Sequence, residues 1–457
     1  MAEKETYITN LQQRVPGPKG IPFLGSSRDF QRDPLGFITR MAREYGEVSL
    51  FRLGNLNFHQ VAHPEGIQHV LQENNRNFVK GKLFQIIREV GGDGLFTSEG
   101  DHWLRQRRLM QPAFHRQRIA GFGETMVHQA QRMLDRWSRA DATRSTLDIN
   151  QEMSDLTMEI ITETMFGTQV EADTHAISRA VSHLLSYLNF RFEYPFYPGM
   201  RVPTVRNLQA RRSLALLDQL VYGMIDKRRR NPDGHDDLLS LLMDARDEDT
   251  GEAMTDLQLR DEVITVFVAG HETTAAALTW TFYLLSENQD AEARLHGELE
   301  EALGGQPPDM AALPDLKYTR MVIDESMRLY PPAWITNRTC VEDDVVCGYR
   351  IPAGDITTLS PYVTHRLERY WPDPERFDPE RFNPDTPADR PRYAYFPFGG
   401  GPHQCIGNSF ALVEATLILA AVAQRFRLRL QPGYEVVPDP QVTLRPRGGM
   451  PMMAASR

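Results

Sequence analysis

Cysteine is scarce in this sequence, where only Cys340, Cys347 and Cys405 occur among 457 residues. So few cysteines cannot build a disulfide scaffold, and a chain of this length can bury a large core instead. Long apolar runs are also missing, because no stretch reaches the roughly 18 residues that a membrane-spanning helix needs. The N-terminus, MAEKETYITNLQQR, is polar and has no apolar signal-peptide region. We therefore expect a cytoplasmic protein without a transmembrane anchor.

Positive charge is in short supply as well. The chain carries 51 basic and 61 acidic residues, which gives a formal net charge of −10. Nucleic-acid binding depends on neutralising phosphates, so a protein this acidic is a poor candidate for it. The composition is otherwise that of an ordinary globular protein, which leaves enzymes and small-molecule binding proteins open.

Residue periodicity predicts a mainly α-helical fold with a β-rich minority. Apolar positions spaced i, i+3, i+4 dominate residues 100–330 and include a long helix from about Asp256 to Glu287. No linker or repeat divides the chain, so we expect one domain over residues 1–457, with 1–26 as an extended lead-in and no fused reductase domain. Further expected elements are a strand hairpin at 47–64, short strands at 334–360 and a helix at 405–424.

The segment FPFGGGPHQCIG, residues 396–407, places three glycines, a proline and a histidine before Cys405. A dinucleotide-binding loop would need glycine where Gln404 stands, and a P-loop would need Gly-Lys-Ser/Thr at its end. A zinc site would need several Cys or His ligands, whereas only His403 lies close in sequence. The spacing therefore excludes a phosphate-binding loop and a zinc site.

A single thiolate that ligates a large flat cofactor fits this segment better. The N-terminus of a following helix would stabilise the thiolate form of Cys405. Thiolate is a known ligand of haem iron, and glycines would let the backbone pass close beneath a flat ring. Phe398 would pack beside the sulfur and exclude water. From the residues alone, the alternative is a buried free cysteine in a tight turn.

The pattern F-G-x-G-x-H-x-C-x-G, from Phe398 to Gly407, resembles the haem-binding signature of the cytochrome P-450 family, the haem-thiolate monooxygenases. The family usually has arginine where this chain has His403, and four further family motifs occur in the expected order. The resemblance implies the cytochrome P-450 fold, with haem b between the long central helix and the helix that follows Cys405, the axial ligand. Residues implied beside the haem are Phe398, Gly399, Ala269 and Gly270.

The segment AGHETT, residues 269–274, lies within the predicted long helix. Threonine hydroxyls that bond back to carbonyls one turn earlier bend helices, and such a bend would leave room for dioxygen beside the iron. Splitting dioxygen consumes protons, which positioned acid and hydroxyl groups supply. An acid–alcohol pair has that role in the resembling family, which here implies Glu272 and Thr273.

Two other motifs imply residues that bind or support the haem. Trp103 and Arg107 match the family pattern W-x-x-x-R and share a helix face, from which both donate hydrogen bonds to carboxylates such as haem propionates. Arg338 occupies the position of another propionate ligand, and His403 is a further candidate. The E-x-x-R motif and a Pro-rich segment match a buried structural triad of the family, implied here as Glu325, Arg328 and Arg381.

The substrate-facing regions of the family correspond to apolar stretches with no dominant basic residue, which indicates a long or bulky apolar substrate. Some segments resemble carotenoid-hydroxylating members and others fatty-acid-hydroxylating members, so fatty acids, terpenoids and carotenoids stay open. Residues 190–200, FRFEYPFYPGM, are expected either as a mobile lid or as a loop anchored by core aromatics. The implied substrate-facing residues are Phe84, Ile87, Phe96, Ala333, Trp334, Ile335 and Val442.

The expected activity is insertion of one oxygen atom from O2 into this substrate, with electrons from a separate ferredoxin- or flavodoxin-type protein. The basic stretch RQRRLMQPAFHRQR, residues 105–118, would dock an acidic donor through complementary charge. One alternative is a peroxide-driven peroxygenase, which needs no proton-delivery pair. Another is a non-catalytic haem sensor or carrier, which has no use for such a pair either.

Overall fold

Helices dominate the computed structural model, which describes residues 15–139, 146–167, 171–194, 197–231, 237–247, 250–386 and 389–457. Residues 1–14 of the predicted lead-in and 195–196 of the predicted lid lie outside the described residues. The helices are α1 (Ser27–Arg32), α2 (Pro34–Tyr45), α3 (Pro64–Gln68), α4 (Lys82–Gly91), α5 (Gly100–Met110), α6 (Arg116–Arg139), α7 (Ile149–Phe166), α8 (Glu171–Glu193), α9 (Val205–Arg230), α10 (Leu238–Asp244), α11 (Asp256–Glu287), α12 (Gln289–Leu303), α13 (Lys317–Leu329), α14 (Pro361–Thr364) and α15 (Asn408–Arg425).

The strands are short, as the sequence predicts for the β-rich minority. The mainly helical fold class is thereby confirmed. The strands are β1 (Val48–Leu53), β2 (Leu56–Val61), β3 (Phe78–Val79), β4 (Thr146–Asp148), β5 (Thr336–Cys340), β6 (Asp344–Val346), β7 (Tyr349–Ile351), β8 (Ile356–Leu359), β9 (Phe426–Leu430), β10 (Pro438–Pro440), β11 (Leu444–Pro446) and β12 (Pro451–Ser456).

The described residues form two compact units. The sheet unit comprises residues up to Gln85, Arg328–Arg376 and the segment that ends at Cys405. The helical unit comprises Ile86–Met327, the segment from Phe377 and Ile406–Arg457. The expectation of one domain over residues 1–457 stays a prediction.

The sheet unit is built on strands in the order β1-β2-β8-β5-β3, as far as the described residues show. The predicted hairpin is confirmed, because β1 and β2 pair antiparallel with Val48 opposite Val61. Gly54 turns the hairpin with a φ of 59°, which favours glycine. Apolar side chains such as Ile67 and Leu359 are completely buried in the core beside this sheet.

The helical unit is organised around α11, whose predicted bounds, Asp256 to Glu287, are confirmed. Thr255 and Gln258 form a capping box at its start, which satisfies backbone N–H groups that no helical turn can reach. The helix is apolar on nearly all faces because it is buried among its neighbours. Helix α7 packs along it, and the rings of Phe166 and Phe267 lie 4.5 Å apart between their centroids.

Helix α15 begins at Asn408, so the prediction that it starts at Cys405 is wrong by three residues. The reason is the backbone before it, where Gly401–His403 forms a 3₁₀ turn. The amide N–H of Cys405 then donates to the carbonyl of Phe398 at 3.0 Å, which is a loop closure and not a helical bond. Cys405 therefore stands on a closed loop that precedes the helix.

Candidate active site

In the sheet unit, Cys405 presents an exposed thiol at the end of the glycine-rich loop. Cys340, by contrast, is buried and Cys347 is half-buried. Burial raises the pKa of both other thiols to about 11, which disfavours the thiolate that metal ligation requires. Of the three cysteines, Cys405 is thus the one whose sulfur is accessible to a large ligand.

The three glycines before Cys405 have different structural roles. A methyl group at Gly400 would overlap the ring of Tyr393, and one at Gly401 would overlap the carbonyl oxygen of Leu71. Gly399 has no atom within 4 Å of where its Cβ would stand, and its φ is 69°. The interpretation that all three glycines clear space for a ring is therefore corrected, since only Gly399 borders open space.

Arg338 and His403 are the cationic candidates of the sheet unit. Arg338 lies on β5 and is 8% exposed, with its guanidinium donating to Thr336 Oγ1 at 3.0 Å and to the Asn337 carbonyl at 2.8 Å. Its guanidinium carbon lies 5.9 Å from the ring centroid of Phe84, so one predicted propionate ligand and one predicted substrate residue are neighbours. His403 is half-buried at the end of the 3₁₀ turn.

In the helical unit, the threonines of the AGHETT segment bond back along α11 as predicted. Thr273 Oγ1 donates to the carbonyl of Ala269 at 2.8 Å, and Thr274 Oγ1 donates to that of Gly270 at 3.3 Å. The helix nevertheless continues unbroken to Glu287. A methyl group at Gly270 would overlap Ile161 of α7, so this glycine permits close packing of two helices.

Glu272 is buried in the helical unit, 8% exposed, and held by residues that follow β10 in the chain. Thr443 Oγ1 donates to Glu272 Oε1 at 2.6 Å, and Arg445 Nη1 lies 3.7 Å from the same oxygen. Glu272 Oε2 is buried and accepts no hydrogen bond from the described residues. The sequence did not predict Thr443 or Arg445, because no local signal links either residue to Glu272, which lies 171 positions before Thr443.

Trp103 and Arg107 lie one turn apart on α5, with Trp103 buried and Arg107 half-buried. Between them, the buried Gln106 donates to Glu262 Oε1 of α11 at 2.8 Å. The other oxygen of Glu262 accepts the amide N–H of Leu95 at 3.0 Å. One buried carboxylate of α11 thereby fixes both α5 and the segment that carries Phe96, which is 46% exposed.

Glu414 on α15 is a second buried acid that the sequence analysis did not single out. Its side chain is completely buried, and neither carboxyl oxygen has a hydrogen-bond partner of normal geometry among the described residues. Burial raises its pKa to about 8, against a smaller opposing effect of the Thr274 hydroxyl beside it. This glutamate is consequently neutral over most of the physiological pH range.

Glu325 and Arg381 of the predicted triad are neighbours in the helical unit. Arg381 Nε lies 3.4 Å from Glu325 Oε1, and this carboxylate is completely inaccessible to solvent. The same oxygen accepts the amide N–H of Asp378 at 2.9 Å. Arg328, in the sheet unit, donates to the carbonyls of His365 and Pro374 at 2.9 and 2.7 Å. These contacts fix the Pro-rich segments, as a structural role requires.

The predicted lid, residues 190–200, is bounded by aromatic contacts where it is described. The ring of Phe190 lies 4.8 Å from those of both Tyr194 and Tyr197, measured between centroids. The guanidinium of Arg206 covers the same ring at 4.0 Å. These contacts favour the interpretation of a loop anchored by aromatics over that of a freely moving lid.

Cys405, Gly399 and Arg338 fit a haem, as judged by their chemistry. Cys405 offers one accessible soft donor beside an open position at Gly399, and Arg338 is a nearly buried cation that suits a carboxylate. No group of three or more His, Cys, Asp or Glu side chains in the described part of the chain could hold a metal ion.

The sequence profile of the cytochrome P450 family matches residues 15–451, nearly the whole chain. The chain belongs to this family and has its fold. Accordingly it is a haem-b-dependent monooxygenase that inserts one oxygen atom from dioxygen into an organic substrate, with electrons from redox partner proteins. None of the helices in the described ranges is long and apolar enough to span a bilayer.

Three similar proteins are bacterial members with named activities. Cyclooctatin synthase of Streptomyces melanosporofaciens is 38% identical over 97% of this chain and 96% of its own. Cyclooctat-9-en-7-ol 5-monooxygenase of the same organism is 37% identical over 91% and 90%. Pentalenene oxygenase of Streptomyces avermitilis is 36% identical over 92% of each chain.

Proposed function

We propose that this monooxygenase hydroxylates a bulky apolar terpenoid in the cytoplasm, with electrons from a separate ferredoxin- or flavodoxin-type protein. Two relatives are named for pentalenene, an olefin, and for cyclooctat-9-en-7-ol, an olefinic alcohol. These names favour the terpenoid among the three substrate classes that the sequence left open. The observation that carries the dioxygen-driven reaction is the buried acid of Glu272 directly before the hydroxyl of Thr273.

Haem b, when bound, supplies the activation of dioxygen, and the chain supplies its ligand and its orientation. We assign the thiolate of Cys405 as the iron ligand, because its sulfur is accessible and its loop is closed by the Cys405–Phe398 hydrogen bond. Arg338 and Arg107 would neutralise the propionates by charge-assisted hydrogen bonds. The remaining donors proposed for the propionates are Trp103 and His403.

Glu272 and Thr273 would deliver the protons that the reaction consumes. In the overall balance, one oxygen atom enters a C–H bond of the substrate and the other leaves as water, with two electrons and two protons taken up. Glu272 would hold a transferable proton at Oε2, the oxygen that other described residues leave without a hydrogen bond. Thr273 would present its hydroxyl oxygen as the next acceptor, fixed by its own bond to Ala269.

An apolar substrate is supported by the character of the candidate substrate residues. Phe96 and Ala333 are exposed, while Phe84, Ile87 and Val442 are half-buried. Trp334 differs, because its side chain is buried and its backbone carbonyl accepts the Ser360 hydroxyl at 2.7 Å. We therefore propose a supporting role for Trp334, with the neighbouring Ala333 and Ile335 nearer the substrate.

The test is reconstitution of the purified holoenzyme with a surrogate ferredoxin and its reductase under isotopically labelled dioxygen. Cyclic terpene olefins, fatty acids and carotenoids serve as three parallel substrate panels. The proposal predicts products from the terpene panel that carry one labelled oxygen atom. Product formation only from fatty acids or carotenoids would refute the substrate class. Turnover with hydrogen peroxide but none with dioxygen and reductase would favour the peroxygenase alternative.

A further inference from the structure

The surroundings of Glu272 contain residues whose geometry goes beyond the acid–alcohol pair. We propose that Thr443 and Arg445 are positioning residues that hold Glu272 by one carboxylate oxygen and reserve the other for proton transfer. This inference rests on the proposed role of Glu272 in proton delivery. Thr443 and Arg445 act through the carboxylate and need not touch the substrate.

The first observation is the anchored position of the hairpin that carries both residues. Strands β10 and β11 pair antiparallel, with Asp439 opposite Arg445. The indole N–H of Trp280, two turns after Glu272 on α11, donates to the carbonyl of Leu444 at 2.9 Å. Because Thr443 and Arg445 flank Leu444, this bond fixes their distance from the helix that carries Glu272.

The second observation is that Thr443 and Arg445 both lie close to the same oxygen, Glu272 Oε1. Thr443 is 6% exposed, and its hydroxyl donates to Glu272 Oε1 at 2.6 Å. Arg445 Nη1 lies 3.7 Å from that oxygen and adds Coulombic attraction. A carboxylate held on one side by a hydroxyl and a guanidinium cannot rotate freely, so the position of Oε2 is set as well.

The third observation is the unsatisfied state of Oε2. Buried polar atoms in native proteins nearly always have hydrogen-bond partners, and an exception calls for an explanation. Oε2 is buried and accepts no hydrogen bond from the described residues, although Oε1 is approached by two donors. The adjacent His271 does not provide a cation for the Glu272 carboxylate, because burial lowers the pKa of its imidazole. An oxygen reserved for a mobile proton explains this asymmetry.

The fourth observation connects this arrangement to α8. Arg445 also donates to the side-chain oxygen of Gln441, which accepts the amide of Asn189 as well. Asn189 Oδ1 in turn accepts the backbone N–H of Val442 at 2.7 Å. A continuous set of hydrogen bonds therefore runs from α8 to Arg445, so Arg445 is held on two sides and is positioned rather than mobile.

A purely structural role, in which the contacts only fasten the hairpin to α11, makes a different prediction. The variants Thr443→Val and Arg445→Gln would then lower stability and every kind of turnover together. Thr443→Ser keeps the hydroxyl and serves as the conservative control. Arg447→Gln serves as the second control, because Arg447 belongs to the same hairpin but is exposed and faces Asp439 at 3.7 Å.

The experiment compares two ways of driving the same holoenzyme. One uses dioxygen with the reductase, which consumes protons, and the other uses iodosylbenzene, an oxygen-atom donor that needs none. We expect Thr443→Val and Arg445→Gln to lower the dioxygen-driven rate about tenfold or more, with a larger solvent deuterium isotope effect, and to leave the iodosylbenzene-driven rate unchanged. Thr443→Ser and Arg447→Gln should change neither rate.

A second readout does not depend on turnover. Infrared difference spectra between the wild type and Glu272→Gln isolate the carboxyl bands of Glu272 in the resting protein, and these bands should shift in Thr443→Val. Equal losses with both oxidants, or no loss with either, would overturn the proposal, as would unchanged infrared bands. If the valine variant fails to fold, Arg445→Gln carries the same test. Absence of any oxygenated product from the wild type would instead refute the proposed function, while the infrared arm would still report on Thr443.

Discussion

The buried carboxyl group of Glu414 should make the stability of this protein depend on pH. Its carboxyl group is completely buried on α15, and burial raises its pKa from 4.5 to about 8. Between these two pH values the folded protein binds a proton that the unfolded chain has released. The contribution to stability is therefore complete below pH 4.5 and is lost as the pH rises towards 8.

The magnitude follows from the same two pKa values. Each pH unit in this interval costs about 1.4 kcal/mol of unfolding free energy, so the whole interval amounts to about 5 kcal/mol. Replacement Glu414→Gln removes the titrating group and puts a buried amide where a buried carboxyl group without partners of normal geometry stood, so the cost of the unpaired polar group does not depend on pH. We expect the variant to gain stability relative to the wild type as the pH rises from 5 to 8.5, and to be the more stable of the two at pH 8.5.

The assay is urea unfolding of the holoenzyme at half-unit steps from pH 5 to pH 8.5, followed by far-ultraviolet circular dichroism and by the haem absorbance. Glu301→Gln is the matched control, because Glu301 is an exposed glutamate of α12. The difference between wild type and Glu414→Gln should change by several kcal/mol across this range, whereas the control difference should stay constant. A constant difference for Glu414→Gln would refute the assignment of a buried neutral acid.

Three further predictions concern other parts of the molecule. Arg381→Ala should lower the free energy of unfolding by about 3–5 kcal/mol, because it removes a cation that lies 3.4 Å from the buried carboxylate of Glu325. A loss below 1 kcal/mol in urea unfolding would contradict this prediction. Gly401→Ala should destabilise the glycine-rich loop before Cys405 and lower the haem content measured by absorbance titration, because the methyl group would overlap the backbone of Leu71. Retention of full haem content would contradict this prediction. Arg116→Glu should slow reduction by an acidic donor in stopped-flow measurements at low salt, and Arg211→Glu, an exposed arginine of α9, should not; equal effects would argue against docking at 105–118.

Much of the fold was predictable where local pattern and tertiary packing agree. The bounds of α11 were correct because an apolar run ends at identifiable caps, with Thr255 before it and Asn288 after it. The β1–β2 hairpin was correct because Gly54 supplies a turn between two segments that are rich in strand-forming apolar residues. The start of α15 was wrong because the loop closure at Cys405 depends on a backbone bond to Phe398, which periodicity does not reveal.

The site was less predictable because its contacts join distant residues. Motif resemblance pointed to Glu272, but its partner Thr443 lies in a strand region with no recognisable signal. Glu414 did have a signal, since it is the one acidic residue in the apolar helix NSFALVEATLILAAVAQR. An isolated acid on a helix that is apolar all round should be examined as a buried titratable group.

The absorbance spectrum of the reduced, carbon-monoxide-bound protein reports directly on thiolate ligation of the iron by Cys405. Ligation by Cys405 predicts the red-shifted Soret band of thiolate-ligated haem in the wild type and in Cys340→Ser, and loss of that band in Cys405→Ser. A Soret band without the red shift in the wild type would contradict thiolate ligation. Persistence of the red-shifted band in Cys405→Ser would assign the iron ligand to another residue.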